Sequence, residues 1–186
     1  MNRQLVGSLS EFAMKKTASS HTGLVLKFGA AMFVVAVSAV TYFSLSVNKS
    51  APAVTFVNLQ GTKITMTSLR GKVVLVNFWA TSCATCIKEM PQMVDTFNRY
   101  KNSGLDFVAV AMTEDPPNYV LNYAQTRQLP FTVALDPQST LAKAFGDVRS
   151  TPTTFLIDKQ GKIIKRYVGE PDFPALRQLL ESALAA

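Results

Sequence analysis

The hydrophobic pattern of this chain changes abruptly near residue 48. Residues 28–47 contain no charged side chain and are rich in Ala, Val and Phe. Because about twenty residues in a helix span about 30 Å, the thickness of a bilayer's hydrocarbon core, we predict a transmembrane signal-anchor over this segment. The pattern thus predicts an N-terminal segment over 1–27, the anchor over 28–47, a short polar linker over 48–53 and a globular domain over 54–186.

The globular region alternates strand patterns with helix patterns. Residues 73–78 form a nearly continuous apolar run, as in a central strand covered on both faces, whereas the apolar spacing over 87–100 is helical. Further strands are predicted at 54–59, 64–66, 105–112, 131–135, 153–157 and 163–168. Further helices are predicted from Pro116 or Pro117 to Arg127, at 139–145 and at 174–185. The N-cap of the helix at 139–145 is predicted to be Ser139 or Thr140. The order β-β-β-α-β-α-β-α-β-β-α predicts an α/β fold with a mixed central sheet and helices on both faces.

The net charge of +7 is distributed unevenly along the chain. Residues 1–49 carry five basic residues and one acidic residue, a net charge of +4, which leaves only +3 for the rest of the chain. The remaining basic residues are scattered and form no basic stripe interleaved with aromatic residues. We therefore expect no nucleic-acid partner.

The basic residues near the N-terminus also predict an orientation in the membrane. Most of them precede residues 28–47, so the positive-inside rule places the N-terminus in the cytoplasm and the globular domain on the other side of the membrane. A cleaved signal peptide is the alternative, because Ala36-Val37-Ser38 resembles a cleavage site. The apolar run continues past that site, which favours an uncleaved anchor. Both alternatives export the domain.

Only two cysteines are present, Cys83 and Cys86, between the predicted strand and helix. Free backbone N–H groups and the helix dipole stabilise a thiolate at a helix start. Residues three apart lie on one helix face with Cβ atoms about 5–6 Å apart, so a disulfide closes with little backbone movement. The spacing predicts thiol–disulfide exchange in which Cys83 attacks a partner's disulfide and Cys86 resolves the mixed disulfide.

Other uses of the cysteine pair are less well supported. A purely structural disulfide would close a very short loop and add little stability. Structural zinc requires four Cys or His ligands, and the only histidine, His21, lies before the predicted anchor, so no metal or other cofactor is expected. A Cu(I)-binding chaperone that uses both thiolates remains an alternative, as does an oxidant that donates its disulfide.

Two sequence blocks resemble a known family. Residues 74–91, VLVNFWATSCATCIKEMP, resemble the active-site segment of thioredoxin-like proteins. Their ending Glu89-Met90-Pro91 resembles the TlpA/ResA branch, the bacterial membrane-anchored, extracytoplasmic thiol reductases. Residues 150–158, STPTTFLID, resemble the cis-proline loop of the same fold. The resemblance implies a thioredoxin-like fold from about residue 50 to the C-terminus.

The resemblance also implies roles for individual residues. Cys83 and Cys86 match the catalytic pair, and Pro152 matches the cis-proline that leaves the Thr151 backbone free to bind an extended substrate strand. Glu89 matches an acidic residue near the cysteines with a role in proton handling. Its alternative is an exposed helix charge beside Lys88 or Arg99. Trp79 matches an aromatic residue that either packs in the core or flanks the substrate.

The implied partners are oxidised exported proteins in the periplasm and a membrane thiol electron donor. The clients would include apocytochromes c or copper-insertion proteins. Three positions depart from the family pattern, with Ser82 for Trp, Thr85 for Pro, and Asn77 for the buried aspartate of cytoplasmic thioredoxins. The departure at Asn77 predicts that this proton acceptor is absent. Because the residues between the cysteines tune the reduction potential, the sequence leaves the direction of electron flow open.

Overall fold

The computed structural model describes Val37, Ser38 and residues 50–186. The predicted N-terminal segment 1–27 lies outside the described residues. So does the predicted anchor 28–47, apart from its two helical residues Val37 and Ser38. Within the part of the chain that is described, no helix has both the length and the apolar character needed to cross a bilayer.

The domain contains seven strands and four α-helices among the described residues, in the predicted order. They are β1 (Thr55–Val57), β2 (Lys63–Thr65), β3 (Val73–Trp79), α1 (Ala84–Tyr100), β4 (Leu105–Ala111), α2 (Pro117–Thr126), β5 (Thr132–Leu135), α3 (Thr140–Ala144), β6 (Thr153–Ile157), β7 (Ile163–Val168) and α4 (Phe173–Ala185). Single 3-10 turns at Thr67–Leu69 and Lys101–Ser103 complete the element order.

Five of the strands form one mixed sheet in the order β5-β4-β3-β6-β7. Strand β3 pairs in parallel with β4 and antiparallel with β6, and all seven of its residues are buried, as its apolar run predicts. Strands β1 and β2 form a separate antiparallel hairpin. The mixed sheet predicted from the element order is therefore confirmed.

Alternate side chains of β3 enter two different cores. Val73, Leu75 and Trp79 join the buried residues of α1, α2 and α4. The intervening residues join the core formed with α3 and the β1–β2 hairpin. Helices therefore cover both faces, as predicted, and α1 shares its core with Leu75 and Trp79 of the central strand.

Ser139 holds the N-cap position of α3, as predicted, but its side chain makes no cap bond. Its backbone is left-handed, with φ of 55°, whereas a residue that caps through its side chain typically has an extended backbone. The buried carboxylate of Asp136 caps the helix instead. It accepts the backbone N–H groups of Leu141 at 3.1 Å and Ala142 at 2.8 Å, and Thr140 donates its hydroxyl to the same carboxylate at 3.2 Å.

Residues Ser50 and Ala51, in the middle of the predicted linker 48–53, are attached to the domain. The backbone N–H of Ala51 donates to the carbonyl of Gly161 at 2.9 Å, and Ser50 pairs with Lys162. Both contacts lie just before β7, near the N-terminal end of β3. The described chain therefore enters the domain at one end of the sheet.

Candidate active site

The loop that joins β3 to α1 is fixed by a carboxylate from another loop. Thr81 donates its backbone N–H to Asp115 Oδ2 at 2.6 Å, and its hydroxyl also donates to the Asp115 carboxylate. The N–H of Cys83 donates to the carbonyl of Ala80 at 3.2 Å. Asp115 was not singled out by the sequence, because its contact depends on how two distant loops meet. The bonds give Cys83 a defined position at the start of α1.

The structure joins Cys83 and Cys86 in a disulfide with their Cα atoms 5.2 Å apart. Cys83 is the N-cap residue of α1, and its sulfur accepts the backbone N–H of Cys86 at 3.2 Å. The pairing predicted from the spacing is thus present at the predicted helix start. When Cys83 is reduced, the N–H of Cys86 and the helix dipole favour its thiolate form.

The two cysteines differ in exposure. Cys83 is partly exposed, and its neighbours Ser82, Ala84 and Thr85 are exposed. Cys86 is fully buried at 0% exposure. A partner protein can therefore reach Cys83, while Cys86 can react only with a sulfur already brought to Cys83.

Glu89 lies one turn beyond Cys86 on the buried face of α1. Its side chain is 0% exposed, so the alternative of a solvent-facing charge beside Lys88 or Arg99 is wrong. Lys88 instead pairs with Glu170 at 2.8 Å. Burial, opposed in part by a hydrogen bond from Asn77 and reinforced by the negative charge of Glu170, raises the pKa of Glu89 from 4.5 to about 7.

Asn77 links Glu89 to the sheet. Its Nδ2 donates to Glu89 Oε1 at 3.0 Å and to Thr154 Oγ1 at 2.9 Å, and all three residues are fully buried. Asn77 stands where cytoplasmic thioredoxins carry a buried aspartate, and the carboxyl group of Glu89 reaches this place from α1 rather than from β3. The spacing of three residues between Cys86 and Glu89 was the signal in the sequence, since it places both on one helix face.

Pro152 lies at the same end of the sheet. The Thr151–Pro152 peptide bond is cis, as the resemblance implies. Because Phe78 pairs with Thr153, Pro152 falls opposite Trp79, where the loop to the cysteines begins. The Pro152 carbonyl accepts the N–H of Gly169 at 2.8 Å, whereas the Thr151 backbone bonds to no other described residue. Thr151 thus has a free N–H and a free carbonyl beside the disulfide loop.

Trp79 is fully buried, and its ring centroid lies 5.2 Å from that of Tyr123. The core interpretation of Trp79 therefore fits the structure. The alternative, in which the ring flanks the substrate, is corrected: the side chain has no exposed surface that a client could touch. The structure brings Cys83, Cys86, Glu89 and Pro152 together at the carboxyl end of β3, and it places Trp79 beneath them.

Known proteins share this arrangement of sequence and fold. The Redoxin family model matches residues 46–180. The thiol-disulfide oxidoreductase ResA of Bacillus cereus is 36% identical over 144 residues, which cover 75% of this chain and 82% of that protein. ResA of Bacillus subtilis is 36% identical over 126 residues, which cover 68% of this chain and 69% of that protein.

Solved structures agree with these relatives. A putative thioredoxin from Neisseria meningitidis is 43% identical with a TM-score of 0.70, covering 74% of this chain and 91% of its own. A putative thiol:disulfide interchange protein DsbE from Chlorobium tepidum is 31% identical with a TM-score of 0.67, covering 75% of this chain and 98% of its own. The chain therefore belongs to the Redoxin family and is a thiol–disulfide oxidoreductase of the ResA/TlpA type with a thioredoxin-like fold.

Proposed function

We propose that this oxidoreductase reduces disulfides in exported proteins, with Cys83 as the nucleophile and Cys86 as the resolving cysteine. One observation carries the proposal: the partly exposed Cys83 caps α1 and is bonded to the fully buried Cys86. Exchange needs one sulfur that a client can approach and a second that no client can reach directly. The pair has this asymmetry.

The reaction balances as two successive exchanges. The Cys83 thiolate attacks one sulfur of the client disulfide, forms a mixed disulfide and releases the other client sulfur, which takes up a proton. The Cys86 thiolate then attacks the Cys83 sulfur, closes the Cys83–Cys86 disulfide and releases the second client sulfur, which also takes up a proton. Two electrons pass from the protein to the client, whose two released sulfur atoms take up protons from solvent, and a membrane thiol donor restores both thiols.

Glu89 would take the proton that Cys86 loses before the second exchange. Its place one turn from Cys86 on the buried helix face supports this role, as does its pKa of about 7, which lets it accept and return a proton near neutral pH. During re-reduction the same carboxyl group would return the proton to the Cys86 sulfur. Glu89 would thus carry protons for a thiol that solvent does not reach.

The backbone of Thr151 would hold the client next to Cys83. An extended client segment can exchange hydrogen bonds with the free N–H and carbonyl of Thr151, much as an added strand pairs with a sheet edge. Main-chain recognition of this kind does not depend on the client's side chains. It would suit an enzyme that serves several exported proteins.

The cellular setting follows from the sequence rather than from the described domain. We propose that residues 28–47 tether the chain to the bacterial inner membrane with the domain in the periplasm. In that setting apocytochromes c or copper-insertion proteins would be the oxidised clients. A membrane thiol donor would supply the electrons.

The assignment is tested by two cysteine variants of the whole protein. Cys83→Ser should abolish reduction of insulin disulfides, because no other exposed thiol replaces the nucleophile. Cys86→Ser should accumulate mixed disulfides with clients, visible on non-reducing gels, because the second exchange cannot occur. Full activity of Cys83→Ser would refute the mechanism.

The direction of electron flow is tested by the reduction potential of the Cys83–Cys86 couple in glutathione and dithiothreitol buffers. A reductase should have a potential near that of thioredoxin, about −270 mV, whereas an oxidant should lie near −120 mV. An oxidising value would contradict the reductase proposal while leaving thiol–disulfide exchange intact. Tight binding of Cu(I) by the reduced protein would favour the chaperone alternative.

A further inference from the structure

Two buried oxygen atoms beside the disulfide lack a hydrogen-bond donor among the described residues. They are Asn77 Oδ1 and Glu89 Oε2. The same two side chains are already joined through their other polar atoms, with Asn77 Nδ2 donating to Glu89 Oε1 at 3.0 Å. A buried polar atom left without a partner destabilises the folded state. Two such atoms on one bonded pair of side chains require a physical explanation.

Both donors of the Asn77 amide are already used. An amide group has two N–H bonds, and Asn77 Nδ2 directs one to Glu89 and one to Thr154 Oγ1. The amide oxygen of Asn77 only accepts, and so does an ionised carboxylate. The two orphan oxygens therefore cannot satisfy each other while Glu89 is charged. A single proton on Glu89 Oε2 would turn that atom into a donor for Asn77 Oδ1.

We propose that Asn77 is a positioning residue, which in the disulfide form holds the proton of Glu89 on Oε2 in a carboxylic acid–amide pair. In this pair Glu89 Oε2–H donates to Asn77 Oδ1, and Asn77 Nδ2–H donates to Glu89 Oε1. The inference rests on the proposed role of Glu89 as proton carrier, and it names the group that fixes where the proton lies. Thr154 orients the amide from β6.

The charges around the pair favour a neutral carboxyl group. From β3 and β6 the neighbours that bond within the cluster are the neutral Asn77 and Thr154. The charged group that acts on Glu89 is Glu170, in the loop after β7, which opposes ionisation. The nearest cation along α1, Lys88, is exposed and pairs with Glu170. No described cation forms an ion pair with Glu89, and its raised pKa agrees with this environment.

The pair gives the proton a defined place in the reaction. When Cys86 loses its proton and attacks the Cys83 sulfur, the proton moves to Glu89 and lies on Oε2 against Asn77 in the oxidised product. When a donor reduces the disulfide, the proton returns to the Cys86 sulfur. One proton moves in each direction and no electrons pass through the pair.

Infrared difference spectroscopy of the oxidised, full-length protein tests the pair. The wild type should show a C=O band of a protonated carboxyl group that disappears with a midpoint near pH 7, the raised pKa of Glu89. Glu89→Gln should lose the band. Asn77→Leu should keep it but shift it to higher frequency, because the carbonyl and hydroxyl both lose their hydrogen bonds. The matched control is Thr96→Val, which alters another fully buried polar group on α1 without touching the pair.

Each contrary result has a distinct meaning. A band that Asn77→Leu leaves unshifted would overturn the pair, because the proton would then be bonded to another group such as a buried water. Absence of a protonated band below pH 7 in the oxidised wild type would overturn it equally. If Asn77→Leu does not fold, an unchanged insulin-reduction pH profile in Asn77→Ser would refute the positioning role. Full insulin reduction by Glu89→Gln at every pH would instead refute the proton-carrier role, whatever the band shows.

Discussion

The ionisation of Glu89 is strongly coupled to the fold. In the unfolded chain its carboxyl group ionises near its ordinary pKa of 4.5, whereas burial holds the folded value at about 7. Between these two pH values the folded state binds a proton that the unfolded state has lost. Its contribution to stability is therefore fully present below pH 4.5 and is lost as the pH rises to about 7.

The first prediction follows from that coupling. The free energy of unfolding of the oxidised protein should fall by about 3 kcal/mol between pH 4.5 and 7 on account of Glu89, and then level off. Glu89→Gln should remove this fall, because glutamine has the shape of the protonated acid and does not titrate. Urea denaturation at a series of pH values measures the effect. The exposed Glu114→Gln serves as a control and should follow the wild-type curve.

An unchanged pH profile in Glu89→Gln would show that the carboxyl group is solvated in the folded protein.

The same residue marks what sequence alone could establish at this scale. The position of Glu89 relative to Cys86 is local and was readable from helical spacing. Its bond to Asn77 depends on how α1 packs against the sheet, which is not a local property, so no sequence pattern indicates that bond.

At the scale of elements, helix α3 shows how a cap can come from outside the expected position. The helix has only five residues, so its first-turn N–H groups are a large share of its hydrogen bonds. Ser139 has a favourable residue type for capping, but its left-handed backbone excludes it. Asp136, three residues earlier, accepts two of those N–H groups while it is 2% exposed.

The second prediction uses this difference. Asp136→Ala should lower the free energy of unfolding by about 2 kcal/mol, because two buried N–H groups lose a charged acceptor. Ser139→Gly is the matched variant and should cause little or no loss, since glycine tolerates the φ of 55° found there. Urea denaturation of both variants measures the contrast. Equal losses would mean that Asp136 does not act as the cap.

Elements with a strong local pattern were predictable, and those set by tertiary contacts were not. The apolar run of β3 indicated a strand buried on both faces, and it is one. The residues Thr81 and Asp115 carried no comparable signal, although their bonds fix the loop before Cys83. A sequence shows which face of an element is apolar but does not show which distant loop will meet it.

At the scale of the whole molecule, the two ends of the sheet serve different purposes. The cysteine loop and the Thr151–Pro152 bond lie at the carboxyl end of β3. The described chain enters at the other end, where Ala51 bonds to Gly161. Because seven strand residues span roughly 20 Å, Cys83 is separated from that entry point by most of the length of the sheet. The redox centre therefore lies at the end of the sheet opposite to Ser50 and Ala51.

The third prediction concerns the proposed membrane anchor over residues 28–47. If residues 28–47 form an uncleaved anchor, the protein made in a bacterium should stay in the membrane pellet after alkaline carbonate extraction, because a spanning apolar helix is not released by loss of charge attraction. Its intact mass should be that of the whole chain, 20.3 kDa. The control is residues 50–186 exported behind a cleavable signal, which should appear in the supernatant.

A smaller intact mass, matching a protein whose N-terminus lies just after Ala36-Val37-Ser38, would identify the apolar segment as a cleaved signal peptide. In that case the enzyme would meet its electron donor by diffusion rather than within the same membrane, and re-reduction of the Cys83–Cys86 disulfide should become dependent on protein concentration. An anchored enzyme should instead keep its re-reduction rate when the membrane sample is diluted, since the membrane confines both the enzyme and its donor. Measuring re-reduction before and after proteolytic release of the domain therefore connects the anchor to the redox cycle.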